Sequence, residues 1–452
     1  DAQTLYEGSN SYALGTASNV YIAEPGEYTY FTTSPEYAFL SNVSVGGVSA
    51  ERTWVGTGST EQKIVALGGA EIQQSTHLDQ SVSISGDYAI VGAYKDANFT
   101  GTAYIFTRSG GVWGNSVEIQ SSDIQVGDYF GRSVSISGNY AIVGAPYAED
   151  GGTDVYNGHA YIFERSGTSW TQVKKLTGST NSENFGWSVS ISGNYAIVGA
   201  RAANSYAGAV YIIEYDGTSW EQLSSMSASD GASGHALGES VSISGDYAIS
   251  GAYGNNAAYI FKKGATSWTQ TTKLVATGGG ATDTFGRAVS IDGDYAVIGA
   301  DKANSDQGVA YIFKRDAGAE TWTQKVTLVA NDGASGDWFG SSVSISGDYV
   351  IVGALNNNEN GSNSGASYLF KRENENWTFV IKIKANEGVV NGYFGQSVAI
   401  DNNNIIIGAY DDVSTQRTAY IYSTQPISFP ALTYDGITNL NVTGAEADSH
   451  VS

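Results

Sequence analysis

"SVSISGDYAIVGA" (residues 81–93) returns as "SVSISGNYAIVGA" at 133–145 and again at 188–200. Variants of it begin at 240, 288, 342 and 397, with Ala288 replacing the leading serine in the fifth copy. Ser81 to Ser397 covers six intervals of about 53 residues, the length of a propeller blade rather than of a solenoid turn. Within the run, "SVSIS" alternates, so Val and Ile share one face and the serines the other. Gly-Asp or Gly-Asn makes a two-residue hairpin turn. "YAIVGA" is continuously apolar, as expected for a strand covered on both sides.

Working outward from the third copy, the pattern predicts strands at 188–192, 195–200, 209–215 ("AVYIIEY") and 220–226 ("WEQLSSM"), four antiparallel strands per repeat. The small serines and the Gly-Ala pair let neighbouring sheets approach closely near an axis. Trp113, Trp170, Trp220, Trp268, Trp322 and Trp377 mark the fourth strand of six copies, and the seventh copy lacks one after "TAYIYS" (418–423). The missing strand is expected before the first copy. The apolar end of a fourth strand precedes the next marker serine by 14 residues at Ile119, Met226 and Leu328, and Leu67 stands 14 residues before Ser81. That assigns "EQKIVAL" (61–67) as the strand that closes the ring and leaves no free sheet edge. The prediction is an all-β chain: a seven-bladed β-propeller of four-stranded antiparallel blades over 53–424. A small β-module, or part of one, occupies 1–52, and a β-like tail or the start of a further module occupies 425–452.

Composition narrows the partners. The chain has 452 residues, no cysteine, and 22 Lys and Arg against 45 Asp and Glu, for a net charge of −23. Nucleic acid and anionic membranes both attract basic surfaces, so neither is expected as a partner. No run approaches the 18 apolar residues of a spanning helix, so no membrane insertion is expected. Disulfides are excluded. The opening Asp-Ala-Gln reads as a processed product or a piece of something longer.

Phe-Gly precedes the first strand at Phe130-Gly131, Phe185-Gly186, Phe285-Gly286, Phe339-Gly340 and Phe394-Gly395, and Gly-Ala follows the second strand in all seven copies. With these motifs the chain resembles the FG-GAP repeat family, the blades of integrin α-subunit heads and of many surface proteins, over residues 60–424. The resemblance implies a propeller, an extracellular or cell- or virion-surface location, and calcium in DxDxDG loops between the first two strands. Here those loops have shrunk to Ser-Gly-Asp-Tyr or its equivalents, too short to encircle an ion, so no cofactor is expected and the family's calcium sites are not carried over. The alternative ligand set for a cation is Glu149, Asp150, Asp154 and Asn157 within "AEDGGTDVYNGH" (148–159).

Catalytic signatures are absent: there is no G-x-S-x-G, no H-E-x-x-H and no P-loop. His159 and His235 are expected in loops near Tyr156 and Asp230, a pairing a polysaccharide-degrading lyase could use. The acidic chain opposes the uronate such an enzyme would bind, and a non-enzymatic role is expected. Selectivity must lie where the copies differ, in the loops after the second strand and the connections between blades. Tyr94, Tyr147, Tyr156, Tyr206, Tyr253, Trp338 and Tyr410 are aromatic tips there, suited to stacking on a glycan or packing against a protein. Trp187 and Tyr393, beside the Phe-Gly motifs, are expected to be packed. The reading is a recognition or adhesion domain binding a glycan or protein on a surface. The alternative is a structural subunit of a layer, fibre or virion that self-assembles through its flanks.

Overall fold

The computed structural model describes residues 81–423 except 110–111, 150–155, 181, 386–389, 403 and 411–416, together with the backbone of strands between residues 3 and 74. Seven antiparallel sheets form the ring of a seven-bladed propeller. The third blade consists of Phe185–Ser192, Tyr195–Ala200, Ala209–Tyr215 and Trp220–Met226, within three residues of the strands expected from its sequence. In each blade the strand that starts with the marker serine is innermost. The loops between second and third strands and the connections between blades emerge on one face, here called the upper face.

The inner strand is an edge strand, and its outward N–H groups have no partner within the blade. The alternate serines supply one. Ser81, Ser83 and Ser85 accept from the N–H groups of Val134, Ile136 and Gly138 in blade two at 2.9, 3.2 and 3.2 Å. Ser135 and Ser137 do the same for Ile191 and Gly193, and Ser240, Ser242 and Ser244 for Val289, Ile291 and Gly293. The series closes where Asp401 of blade seven accepts from Gly86 N–H of blade one at 2.6 Å. The serines are therefore hydrogen-bonding struts, not only small spacers.

The other repeated residues join the blades at different radii. Ile142 and Ile162 of blade two pack with Val189, Ile191 and Val198 of blade three, and Ile406 and Ile421 of blade seven with Val82 and Ile84 of blade one. Each such buried aliphatic chain contributes about 1.5–3 kcal/mol. At the upper face, the glycine of the Gly-Ala in blades one to six touches the glycine of the next blade's Phe-Gly, or of Leu237-Gly238 in blade four. A Cβ on Gly199 would lie 2.2 Å from the carbonyl oxygen of Gly238. At the lower face, the tyrosine opening the second strand of blades one to five meets the next blade's tryptophan edge-on, as in Tyr140–Trp220 at 5.1 Å and Tyr195–Trp268 at 5.6 Å.

The strand that pairs with Arg417–Ser423, the third strand of blade seven, is Gly68–Gln74 rather than the expected 61–67. Glu61–Ala66 pairs instead with Gly26–Phe31, in a sheet with Gln3–Glu7 and Asn10–Gly15. This sheet runs past the expected 1–52 boundary. Residues 425–452 lie outside the described residues.

Candidate functional site

The loop between the second and third strands of blade two and the connection that enters the blade line an open pocket of about 460 Å³ on the upper face. Tyr147, Glu149 and Tyr156 come from the loop, and Gln125, Asp128 and Tyr129 from the connection. A tight turn shapes the connection: Asp128 accepts from Gln125 N–H at 2.8 Å, and Tyr129 follows with a left-handed φ of 60°. Its carbonyl neighbour is used too, since Tyr147 N–H donates to Asp128 O at 3.3 Å and fastens loop to connection. The equivalent residue takes the same left-handed conformation in blades three to seven, at Asn184, Ala236, Thr284, Trp338 and Tyr393, so this turn belongs to the repeat and only its side chain is particular to blade two.

Tyr129 is the hub of an aromatic belt. Its ring stacks on Phe99 at 5.1 Å, tilts against Tyr94 at 5.3 Å and meets Tyr147 edge-on at 4.8 Å. Tyr147 continues the belt to Tyr156 at 6.1 Å and to Trp187 at 6.5 Å. At the other end, Lys95 lies over Tyr94 and Tyr410 at 5.3 and 4.5 Å, and Tyr410 meets Tyr393. The belt thus spans blades seven to three. Tyr156 is 43% exposed at its edge, an amphipathic ring presented to solvent.

Of the seven aromatic tips, Tyr94, Tyr147, Tyr156 and Tyr410 come together on this belt. Tyr94 is no tip: it is buried under Tyr129, because its side chain follows directly from the Gly-Ala that contacts the next blade. Tyr206 is exposed alone on the blade-three loop, and Tyr253 sits half-buried under Arg287, 5.6 Å from its guanidinium. Trp338 is half-buried and occupies in blade six the position that Tyr129 holds in blade two, with a φ of 57°. Glu149 lines the pocket. Asp150 and Asp154 lie outside the described residues, and Asn157 anchors the loop through its carbonyl, which accepts from Phe185 N–H at 3.1 Å. Among the described residues no three His, Asp or Glu side chains converge as metal ligands.

The histidine pairings do not hold. His159 is 1% exposed and opens a strand, His159–Ser166, rather than a loop. Asp230 accepts from Lys273 at 2.6 Å and Tyr259 at 2.7 Å, and Lys273 first, then Tyr259, hold its carboxyl well below the usual range. It is a structural knot. Glu183 with Tyr211 and Asp332 with Tyr368 repeat the arrangement, so part of the acidic surplus ties interblade connections to third strands. Trp187, expected to be packed, is half-buried on the ring axis. Sequence reasoning missed Asp128, Tyr129 and Trp187. The signal available was that each occupies a variable position beside an otherwise repeated motif.

Asp128 gives the pocket a pH response. Burial, with the charges of Glu149 and Asp123, raises its carboxyl from 3.8 to about 6. Because the folded-state value lies above the unfolded one, the associated stability is complete below about pH 4 and is lost as pH rises through 6. Asp128→Asn cannot ionise and keeps the acceptor for Gln125. Its melting temperature, relative to the parent chain, should therefore rise as pH goes from about 4.5 to 8. Parallel melting curves across that range would reject the assignment.

A family model described as FG-GAP repeat matches residues 59–106, 113–163, 170–213, 220–265, 268–313, 322–370 and 377–422. Each match begins at or near a fourth strand and ends in or just after the next blade's third, and the first match therefore includes Gly68–Gln74. No curated protein matches the chain.

Proposed function

The chain belongs to the FG-GAP repeat family, typical of extracellular and surface proteins, and from that premise we propose that it is a non-enzymatic surface recognition module that binds carbohydrate on its upper face. The observation that carries this reading is the pocket in which Tyr129, Tyr147 and Tyr156 stand beside the carboxylates of Asp128 and Glu149. Aromatic faces take the apolar side of a sugar ring, while carboxylates accept from its hydroxyls and fix its orientation. The rest of the repeat is committed elsewhere. Serines, Gly-Ala, Phe-Gly and the Tyr–Trp pairs hold blade to blade, and seven near-identical copies of a packing element select no partner. No helix among the described residues is long and apolar enough to cross a membrane.

A glycan array with the full chain tests this. Tyr147→Ala with Tyr156→Ala should weaken retained binding by about tenfold or more, the loss of two stacking contacts. Asn194→Ala and Asp246→Ala, in hairpin turns of the opposite face, should leave it unchanged. Binding that survives the tyrosine pair rejects the pocket. An empty array combined with assembly that depends on the flanking segments would favour the structural-subunit reading instead.

A further inference from the structure

The residue before each marker serine varies from blade to blade, and the ring brings this position to the axis. Arg132, Trp187, Glu239, Arg287, Ser341 and Gln396 converge there with the first residues of the inner strands, around a cavity of about 280 Å³ at the upper mouth. Two of these six are arginines, in a chain whose net charge is −23. Arg201, which follows the Gly-Ala of blade three, adds a third.

Their charges are unequally matched. Glu239 is nearly buried and is shared: its Oε1 accepts from Arg287 at 2.6 Å and its Oε2 from Arg201 at 3.1 Å. Arg132 has no ion pair or side-chain hydrogen bond among the described residues. It is held by rings alone, its guanidinium 4.4 Å from the centre of Trp187 and 5.9 Å from that of Tyr94. Arg201 lies 3.1 Å from the same Trp187 ring, so the indole fixes both cations without neutralising either. Burial pulls the Arg132 pKa down; the charges of Tyr94 and Glu239 oppose that shift and those of Arg201 and Arg287 add to it. Around the arginines the lining is hydroxyl and amide, and Ser397 Oγ is buried with no hydrogen-bond partner among the described residues.

We propose that the axial mouth is a binding site for the carboxylate of an acidic sugar, with Arg132 as its principal partner, Arg287 as the second, and Trp187 and Arg201 as positioning residues. A guanidinium fork matches a carboxylate in two parallel hydrogen bonds. The cavity lies near the lower bound of small-ligand pockets and takes one sugar ring, whose hydroxyls suit Ser341, Gln396 and Ser397. Tyr147 touches Trp187, so an oligosaccharide with its neutral unit on the tyrosine pocket places the next unit towards Arg132. This deepens the carbohydrate-binding reading above and rests on it for the identity of the ligand as a sugar.

Calorimetric titration of the full chain with tetragalacturonate, with neutral galactotetraose and with tetraglutamate tests the site. Tetragalacturonate should bind in a salt-sensitive manner. Arg132→Gln should weaken it by about tenfold or more, as for loss of a charged hydrogen-bonding partner. Glu239→Gln removes the competing internal anion and should strengthen it, a gain that loss of folding cannot imitate. Unchanged affinity in Arg132→Gln, or weaker binding in Glu239→Gln at an unaltered melting temperature, overturns the proposal. Tetraglutamate binding in place of tetragalacturonate overturns the sugar assignment in favour of an acidic peptide. Neutral galactotetraose reports the tyrosine pocket separately: its loss in the Tyr147 and Tyr156 variants, with tetragalacturonate retained, leaves the axial site standing.

Discussion

Gly299→Ala is expected to lower the melting temperature by roughly 5–10 °C, the shift that about 3 kcal/mol of overpacking produces in a domain of this size. The cause is local. Gly299 is the penultimate residue of the second strand of blade five, Tyr295–Ala300, in an ordinary extended conformation, so alanine meets no backbone penalty there. Its Cβ, however, would lie 1.9 Å from the carbonyl oxygen of Gly340 and 2.9 Å from its carbonyl carbon. Those atoms are backbone and cannot swing aside. Gly340 is itself held, with a φ of 90° and its own Cβ position 2.4 Å from Val309 O. Blades five and six must part to admit one methyl group, and the Ser290 strut to Ile345 N–H, 3.2 Å long, parts with them.

Gly293→Ala is the matched control. Gly293 sits in the hairpin turn of the same blade with a φ of 54°, and no atom lies within 4 Å of its Cβ position. Only the left-handed backbone opposes the change, at about 1 kcal/mol. If thermal unfolding followed by circular dichroism shows the two variants melting together, the contact of Gly-Ala with the next Phe-Gly is not what holds the blades at their spacing.

That contact illustrates what the sequence makes legible. Repetition of Gly-Ala and Phe-Gly at a fixed period announces that both serve the ring, and the strands of blade three fall almost where alternation and turns place them. Which atoms the motifs touch is not written in one repeat, because each motif completes its partner in the neighbouring blade. The serines show the same limit: alternation tells that they share a face, not that the face borders unpaired N–H groups. At the candidate site, Tyr147 and Tyr156 were readable because they lie in a loop that differs between blades. Tyr129, Trp187 and Arg132 were not, because each adjoins a repeated motif and reads as part of its packing. Only the ring, by bringing one variable column to the axis and another to the pocket wall, gives them a common address.

The ring's closing strand gives the second large effect. "EQKIVALGGAEIQQ" (61–74) contains two adjacent segments capable of forming strands, and a spacing rule taken from the other connections selects the first. Hydrogen bonding selects the second. Seven residues, Gly68–Gln74, pair in register with Arg417–Ser423, from Gly68 opposite Ser423 to Gln74 opposite Arg417. Deleting residues 1–67 should therefore leave the propeller's melting transition in place, since the strand beside blade seven remains. Deleting 1–74 should lower it by about 10 °C or more, because the edge of "RTAYIYS" (417–423) loses its partner along its whole length. That edge carries Tyr420, Ile421 and Tyr422 in a row and no proline, a composition that recruits another chain. The longer deletion should also aggregate with concentration, as light scattering during refolding would report. If the shorter deletion already melts early and scatters, 61–67 is the closing strand after all. If neither deletion does so, blade seven is held by its packing on blade one, through Ile406, Ile421 and the Asp401 bond to Gly86, without need of a fourth strand.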